Sequence, residues 1–384
     1  MIGIVNIQWF DNPGAVWLAY SLQETVKKIQ PNEEVVIVDY AAGGGRSVTM
    51  TGTQRVLSKL KRKACRLIFY IFPQNRKFRK ELANRHNKYE KFRQKYLART
   101  PRFTKTDSAI LGQAFSACIV GSDVVWKPEI AQEVDSKVYF LKFAGKNTKK
   151  IAYAASIGTD DAKILNELDE IYKNLISDFD SISVRESTAV QYIQQLTDKR
   201  VHHVLDPVFL TDADVYRKLI ENEIVPCEQK FIYLYMLGYN EEMVSLALDL
   251  AKENTYKIIY DLHTEDNIIL EKKFGNYGIA STNADPLQFL ALIDNAEMVL
   301  CDSFHGTAFS IILHKEFYTF GKSNSGIDIS TRMKDLLESL SLMSRYGVSK
   351  DDMSNKPINY EIVDQKLSVR REESIRYLAD ALSG

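Results

Sequence analysis

Apolar runs of five to seven residues recur down almost the whole chain, and most are followed by a stretch with helical spacing. Residues 2–7 (IGIVNI) read as a strand, about 15–29 as an amphipathic helix, and 34–40 (EVVIVDY) as a second strand. Runs that are apolar at nearly every position, rather than at alternate ones, belong to strands covered on both faces. A β-α-β succession of such runs closes into a parallel sheet flanked by helices. The pattern resumes at 117–121, 150–156, 181–185 and 201–206, with helices near 161–177 and 187–196. A second series begins at 231–237 and continues at 256–261, 298–303 and 316–320. Helices near 241–253, 286–294 and 328–341 separate its strands. Between the series, around 211–230, Asp, Glu and Pro interrupt the apolar pattern. The expectation is an α/β protein of two Rossmann-like domains, residues 1–220 and 221–358, facing across a cleft. A terminal segment, 359–384, is read as a long amphipathic helix over 360–382.

Residues 46–99 break the rhythm. They hold seventeen Lys or Arg against two acids, Glu81 and Glu90, in a helical pattern divided by Pro73. This reads as a basic helical excursion, 46–105, from the first domain. It is either a solvated face or a surface for an anionic membrane. Over the whole chain the charge balances: 50 basic and 50 acidic side chains cancel, which argues against a nucleic-acid binder. The four cysteines (Cys65, Cys118, Cys227, Cys301) are far apart in sequence, which fits a reducing compartment. The start, MIGIVNIQWFD, lacks the pattern of a signal peptide, and the run LIFYIF at 67–72 is too short to span a bilayer. A cytoplasmic location is expected, with possible peripheral attachment at the inner membrane face.

Five segments can carry chemistry. Asp302-Ser303-Phe304-His305-Gly306 follows a strand and opens a helix. Strand ends of this kind bind ligands in α/β sheets. Ser303 can cap the helix, whose first N–H groups suit an anion, His305 can move protons, and Gly306 permits close approach. The plainer alternative is a capped helix with a surface histidine. Arg185, at the end of Ser183-Val184-Arg185-Glu186, can fork onto a carboxylate or phosphate, or simply pair with Glu186 on the surface. In Gly121-Ser122-Asp123-Val124-Val125-Trp126, an aromatic beside polar groups suits a sugar face, or is a turn with a half-buried Trp. Asn12-Pro13-Gly14-Ala15 has the chemistry of a helix start, with Asn12 as the cap. Arg332, after Ser330-Thr331, is a second anion clamp or a solvated helix residue. His202 and His203 are adjacent and point to opposite faces of a strand, and His263 is isolated, so no tightly bound metal is expected.

In this order, these segments resemble the polysaccharide pyruvyl transferase family. The resemblance also takes in Tyr139–Phe143, Tyr153–Gly158, Leu205-Asp206-Pro207, Asp285–Leu290, Asp302–Ser310, and Arg332–Leu337 with Arg345 after it. It covers roughly residues 1–345. It implies a glycosyltransferase-B-like pair of domains, phosphoenolpyruvate as co-substrate with no other cofactor, and a sugar diol as acceptor, often lipid-linked. It places the family's donor-site Arg on Arg185 and its motif His on His305. Many members carry Arg where Ser303 stands here, and Arg332 is the candidate to replace it. On this reading Arg185, Arg332, Ser303 and Gly306 bind the donor. Trp126, Ser122 and Asn12 bind the acceptor. His305 carries protons, with Asp302 or Asp123 orienting it. Two rival readings are a glycosyltransferase using a nucleotide-sugar and a non-catalytic binding protein of polysaccharide synthesis.

Overall fold

The computed structural model describes residues 1–40, 76–103, 114–262, 267–281, 283–321, 331–353 and 356–383. Two separate parallel sheets lie in it. The first has the order β2-β1-β3-β4-β5-β6, built from Ile2–Val5 (β1), Val35–Ile37 (β2), Ala117–Gly121 (β3), Lys149–Ala155 (β4), Ser181–Val184 (β5) and Val201–His203 (β6). The second has the order β11-β10-β7-β8-β9, from Phe231–Met236 (β7), Lys257–Leu262 (β8), Gly278–Ala280 (β9), Met298–Cys301 (β10) and Phe317–Thr319 (β11). Most of the apolar runs became strands because they can be buried on both faces. β1, β2, β3, β7 and β11 are buried at every residue.

The sequence pattern gives no sign of β9, of the helix Asn267–Phe274 before it, or of the helices Pro128–Ala131 and Ala213–Ile220, the last of which lies inside the stretch read as a domain boundary. β9 is a short edge strand that stays half-exposed, so its sequence carries no long apolar run. β4 is irregular. Its register against β5 shifts between Ala152 and Ala155, and Ala154 takes a φ of 51°. Ser183 holds the bulge, its Oγ accepting from Ala154 N and donating to Ala152 O. Bulges of this kind re-aim the residues that follow them.

The helices that matter for the site are α1 (Pro13–Ile29), α2 (Arg76–Tyr96), α3 (Ser187–Gln195), α4 (Ala213–Ile220), α5 (Pro286–Asn295), α6 (Phe304–Ile312), α7 (Thr331–Ser339) and α8 (Tyr360–Ser383). α1 starts as its sequence dictates. Asn12 Oδ1 accepts from Ala15 N at 3.2 Å, Pro13 occupies the first turn, and Lys27 and Lys28 sit at the negative end of the helix dipole. Its buried face crosses to the other domain. Val16, Trp17 and Leu18 share a core with Phe289, Phe309, Tyr233 and Tyr235, and Trp17 Nε1 donates to Pro286 O at 2.9 Å. An apolar interface of this sort holds two domains in one relative position, whereas a polar one lets them move.

Two elements behave differently from their sequence patterns. The basic segment is described only from Arg76 onward; residues 46–75, with Cys65 and any helix before Pro73, lie outside the described residues. α2 is solvated on one side only. It wedges between the domains with Arg85, Tyr89, Phe92 and Arg93 buried on one side. Arg85 donates to Asp261 Oδ2 of β8 (3.3 Å), and Lys88 reaches Asn283 and Gln288. Arg93 reaches back to Gln8 and Phe10 of the first domain. Lys80, Lys91 and Lys95 remain on the exposed side. α8 is not an isolated terminal helix. Its first half joins the second domain's core through Val363 and Leu367. Its second half returns to the first domain, where Tyr377 Oη donates to Ala152 O at 2.8 Å. Among the described residues no helix is long and apolar enough to cross a membrane.

Candidate active site

In each sheet the strand order reverses at one point: between β1 and β3 in the first, between β7 and β10 in the second. The helices that follow leave such neighbouring strands in opposite directions, which opens a crevice at their carboxyl ends. The two crevices face each other. An ideal Cβ built on Gly14, in the first turn of α1, would lie 2.1 Å from His305 Nδ1 in the first turn of α6. Only a glycine lets the two helix starts come so close.

A buried ionic network lies along the first sheet's edge. Arg185, just past β5, donates from Nη1 to Asp206 Oδ2 at 2.6 Å, and Ser122 Oγ donates to the same oxygen at 2.7 Å. Arg185 Nε reaches Glu186 Oε1 at 3.4 Å, which also accepts from Ser156 Oγ. Phe304 lies under the guanidinium, its ring centre 4.3 Å from the central carbon. The Arg185–Glu186 pair is therefore buried, not on the surface. Burial by itself opposes the charge on Arg185, but Glu186 and Asp206 hold it cationic. Burial likewise opposes ionisation of Asp206, yet His305, Arg185 and the Ser122 hydroxyl keep its carboxyl below the usual range. Ser122 and Asp123 take φ values of 20° and 61°. Such backbone outliers persist where surrounding structure enforces them and cluster at functional sites.

His305 is buried, with Nε2 3.8 Å from Asp206 Oδ1. Burial lowers its pKa below 6.5. Asp206 and Asp123 oppose the shift, and Arg185 and Arg332 reinforce it, so the imidazole is neutral near pH 7. Arg332 enters from α7, whose position is set across the cleft. Thr331 Oγ1 donates to Asp160 Oδ2 (3.0 Å), and Ser187 donates from Oγ and N to Asp335. Burial and the like charge of Arg185 lower the pKa of Arg332. Three enclosed nitrogens here have no hydrogen-bond partner among the described residues: Arg185 Nη2, Arg332 Nε and His305 Nε2. One small cavity is lined by Arg185, Asp206, Phe304, Arg332 and Arg370, and a second by Glu186, Gly158, Thr331 and Arg332.

The sequence candidates divide here. Arg185, Arg332, His305, Ser122 and Asp123 come together. Ser303 is the α6 cap, its Oγ accepting from Gly306 N. Gly306 packs its α-carbon onto Cys301 and Tyr235, where a Cβ would stand 3.1 and 3.2 Å from their atoms. Both serve the close seating of α6. Asp302 Oδ1 accepts from Leu237 N at 2.6 Å, tying β10 to the end of β7, and Asp206 is the carboxylate beside His305. Trp126 is fully buried, stacked on Phe140, with Nε1 donating to Tyr139 O. It has no face to give a sugar, because core packing claims both sides of the ring. Asn12 uses its Oδ1 as the α1 cap. Ser330 and His263 lie outside the described residues. Reasoning from the sequence assigned no role to Asp206, Glu186 or Arg370. The first two follow strand ends, and that position was the available signal; Arg370 arrives from α8, 150 residues away or more, and had none.

The sequence profile described as Polysaccharide pyruvyl transferase matches residues 12–324. No curated protein matches the chain in sequence. Among solved structures, UDP-GlcNAc 2-epimerase from Neisseria meningitidis bound to UDP-GlcNAc is similar at 10% identity and a TM-score of 0.51, over 100% of this chain and 93% of that one. UDP-GlcNAc 2-epimerase from Methanocaldococcus jannaschii is similar at 11% identity and a TM-score of 0.50, over 96% and 91%. At such identities the likeness concerns the fold alone: two Rossmann-like domains across a cleft.

Proposed function

The chain belongs to the polysaccharide pyruvyl transferase family, and from that premise we propose that it transfers pyruvate from phosphoenolpyruvate to two hydroxyls of a sugar in a surface-polysaccharide repeat unit, forming a ketal. One observation carries this reading. Arg185 Nη2, Arg332 Nε and His305 Nε2 are enclosed at the cleft with no hydrogen-bond partner among the described residues. Unpaired buried donors are costly, and a ligand bearing both a carboxylate and a phosphate would satisfy them.

The chemistry follows from the charges. The two guanidinium groups hold the donor's anionic ends. A proton added to the methylene carbon turns it into a methyl group and leaves C2 electron-poor. One sugar hydroxyl bonds to C2 and loses its proton. The C2–O bond to phosphate then breaks, and the phosphate leaves with the electron pair and a proton. The second hydroxyl bonds to C2, loses its proton and closes the ketal. One proton is taken up at carbon, two leave the hydroxyls and one departs with phosphate, so the balance closes. His305 is the proton carrier. It is neutral in the empty site, and the donor's negative charges raise its pKa, as an opposite charge within a few ångströms does. Asp206, 3.8 Å from Nε2, supports its protonated form. Such acid–base help is worth ~10²–10⁴-fold in rate.

A thermal-shift titration with phosphoenolpyruvate, run beside UDP-, GDP- and CMP-sugars, tests the donor. Saturation at 100 times Kd should stabilise the protein by ~2.7 kcal/mol. A shift with a nucleotide-sugar alone would overturn the reading in favour of glycosyl transfer. The His305→Ala protein should keep its fold and lose turnover.

A further inference from the structure

β1 ends at Val5 and α1 begins at Pro13, so residues 6–12 form the loop at the first sheet's switch point. Three features of this loop have no part in the reaction proposed above. First, Trp9 and Phe10 stack on one another, with ring centres 3.8 Å apart and planes 30° apart. Phe10 is half-exposed. Second, this short loop is fastened from below. Arg93, fully buried in α2, donates from Nε to Gln8 O (2.8 Å) and from Nη2 to Phe10 O (2.5 Å) and Asp11 Oδ1 (3.2 Å). His86 Nδ1 holds the other Asp11 oxygen at 2.8 Å, and Trp9 Nε1 faces Tyr139 Oη at 3.5 Å. Third, Asn6 and Gln8 are 4% and 1% exposed, and Asn6 Nδ2, Asn6 Oδ1 and Gln8 Oε1 have no hydrogen-bond partner among the described residues.

A single exposed aromatic needs no explanation. A stacked pair locked in place beside buried, unsatisfied amides does. Loops relax to satisfy buried polar groups unless something else holds them, and here an interdomain helix holds this one. The position is also specific. Val5 pairs with Val120, which puts Asn6 beside the strand that ends in Ser122 and Asp123. The loop's far end delivers Gly14 against His305.

We propose that this loop is a pyranose subsite: Trp9 and Phe10 cover the apolar C–H face of a sugar ring, and the Asn6 and Gln8 amides bond its hydroxyls. If the pyruvyl-transfer reading holds, on which the word acceptor rests, this is the acceptor subsite, and its sugar presents the diol to His305. The subsite takes the place of Trp126, whose ring is closed off by the core. It also gives α2 a role, since the buried Arg93 sets the loop that carries the platform.

The chain has three tryptophans, and Trp17 and Trp126 are fully buried. Trp9 is therefore the one whose emission responds to a ligand at the surface. The full-length protein is titrated with methyl β-galactopyranoside, methyl β-glucopyranoside and methyl β-mannopyranoside. At least one should give a saturable change in emission and protect Trp9 from acrylamide quenching. Phe10→Ala, at a half-exposed position that the fold does not need, should weaken that binding by about tenfold. The phosphoenolpyruvate thermal shift should stay unchanged in the same variant. Silence from all three glycosides, or full binding by Phe10→Ala, would overturn the subsite. A glycoside response without any phosphoenolpyruvate shift would keep the subsite and sink the pyruvyl donor instead, so the two failures are distinguishable.

Discussion

Gly14→Ala places a methyl group where His305 already stands. The new Cβ would lie 2.1 Å from Nδ1, 2.4 Å from Cγ and 2.8 Å from Cβ of the histidine, against 3.4 Å or more in ordinary contact. Restoring contact needs a displacement of about 1.3 Å, the difference between 3.4 and 2.1 Å. The histidine has little room to retreat, since it is buried beside Asp206 and stands edge-on to Phe304. Alanine improves helix propensity by up to ~1 kcal/mol, and overpacking costs ~1–3 kcal/mol. The net loss of stability is then about 0–3 kcal/mol, and the fold survives. Activity is more sensitive, because a shift of ~1 Å in a catalytic group can cost ~10²-fold in rate. Phosphate release from phosphoenolpyruvate, measured with the best methyl glycoside, should fall by about that factor, while the melting temperature moves only a few degrees. Turnover within threefold of the parent protein in a folded Gly14→Ala variant would refute the claim that the contact of the two helix starts positions His305.

Asp206→Asn should cost ~3–5 kcal/mol in denaturant unfolding at pH 7, because it leaves Arg185 buried without its closest partner. Asp206 is held below the usual carboxylate range, so its contribution is present above about pH 4 and is lost as the pH falls through its folded pKa. The gap between the two proteins should therefore narrow at pH 3; a constant gap would refute the electrostatic account. The His305 imidazole should titrate below 6.5 by NMR, and its neutral form in the folded state means stability declines as pH drops from about 6.5 toward that value. Saturating phosphoenolpyruvate should move the midpoint up, and an unmoved midpoint would remove the donor from its neighbourhood. Trp126→Phe should lose ~1–3 kcal/mol, since the Tyr139 carbonyl forfeits its bond. It should leave the KM for the sugar unchanged, the reverse of the split expected for Phe10→Ala.

The two sheets were legible because parallel strands covered on both faces need unbroken apolar runs, and those runs stand plainly at 2–5, 117–121, 231–236 and 298–301. Helix starts were legible for a local reason as well. Asn12 and Ser303 cap the helices that follow them, each accepting from the backbone N–H three residues on. The same locality made some residues misleading. Ser303 and Gly306 have the composition of an anion-binding turn, and the structure uses both in seating α6. Trp126 follows a polar turn in the sequence but enters the core, because Phe140 and Tyr139, brought in by a later segment, close over it.

What the sequence determined by itself was therefore the alternation of elements, the two series of strands, and the presence of Arg185, His305 and Arg332 at element ends. These depend on short-range rules: apolar period, capping and chain direction. Only the tertiary structure decided which groups meet. Asp206 joins Arg185 across 21 residues, His305 meets Gly14 across about three quarters of the chain, and Arg93 fixes a loop 82 residues before it. Strand order, domain closure and helix packing set those encounters, and each is a sum over many distant contacts that no local pattern records. The basic stretch shows the difference most clearly. Its charge pattern suits a solvated or membrane-facing helix, but the arginines at 85 and 93 are desolvated between two domains, because the carboxylates and carbonyls that satisfy them come from elsewhere in the chain.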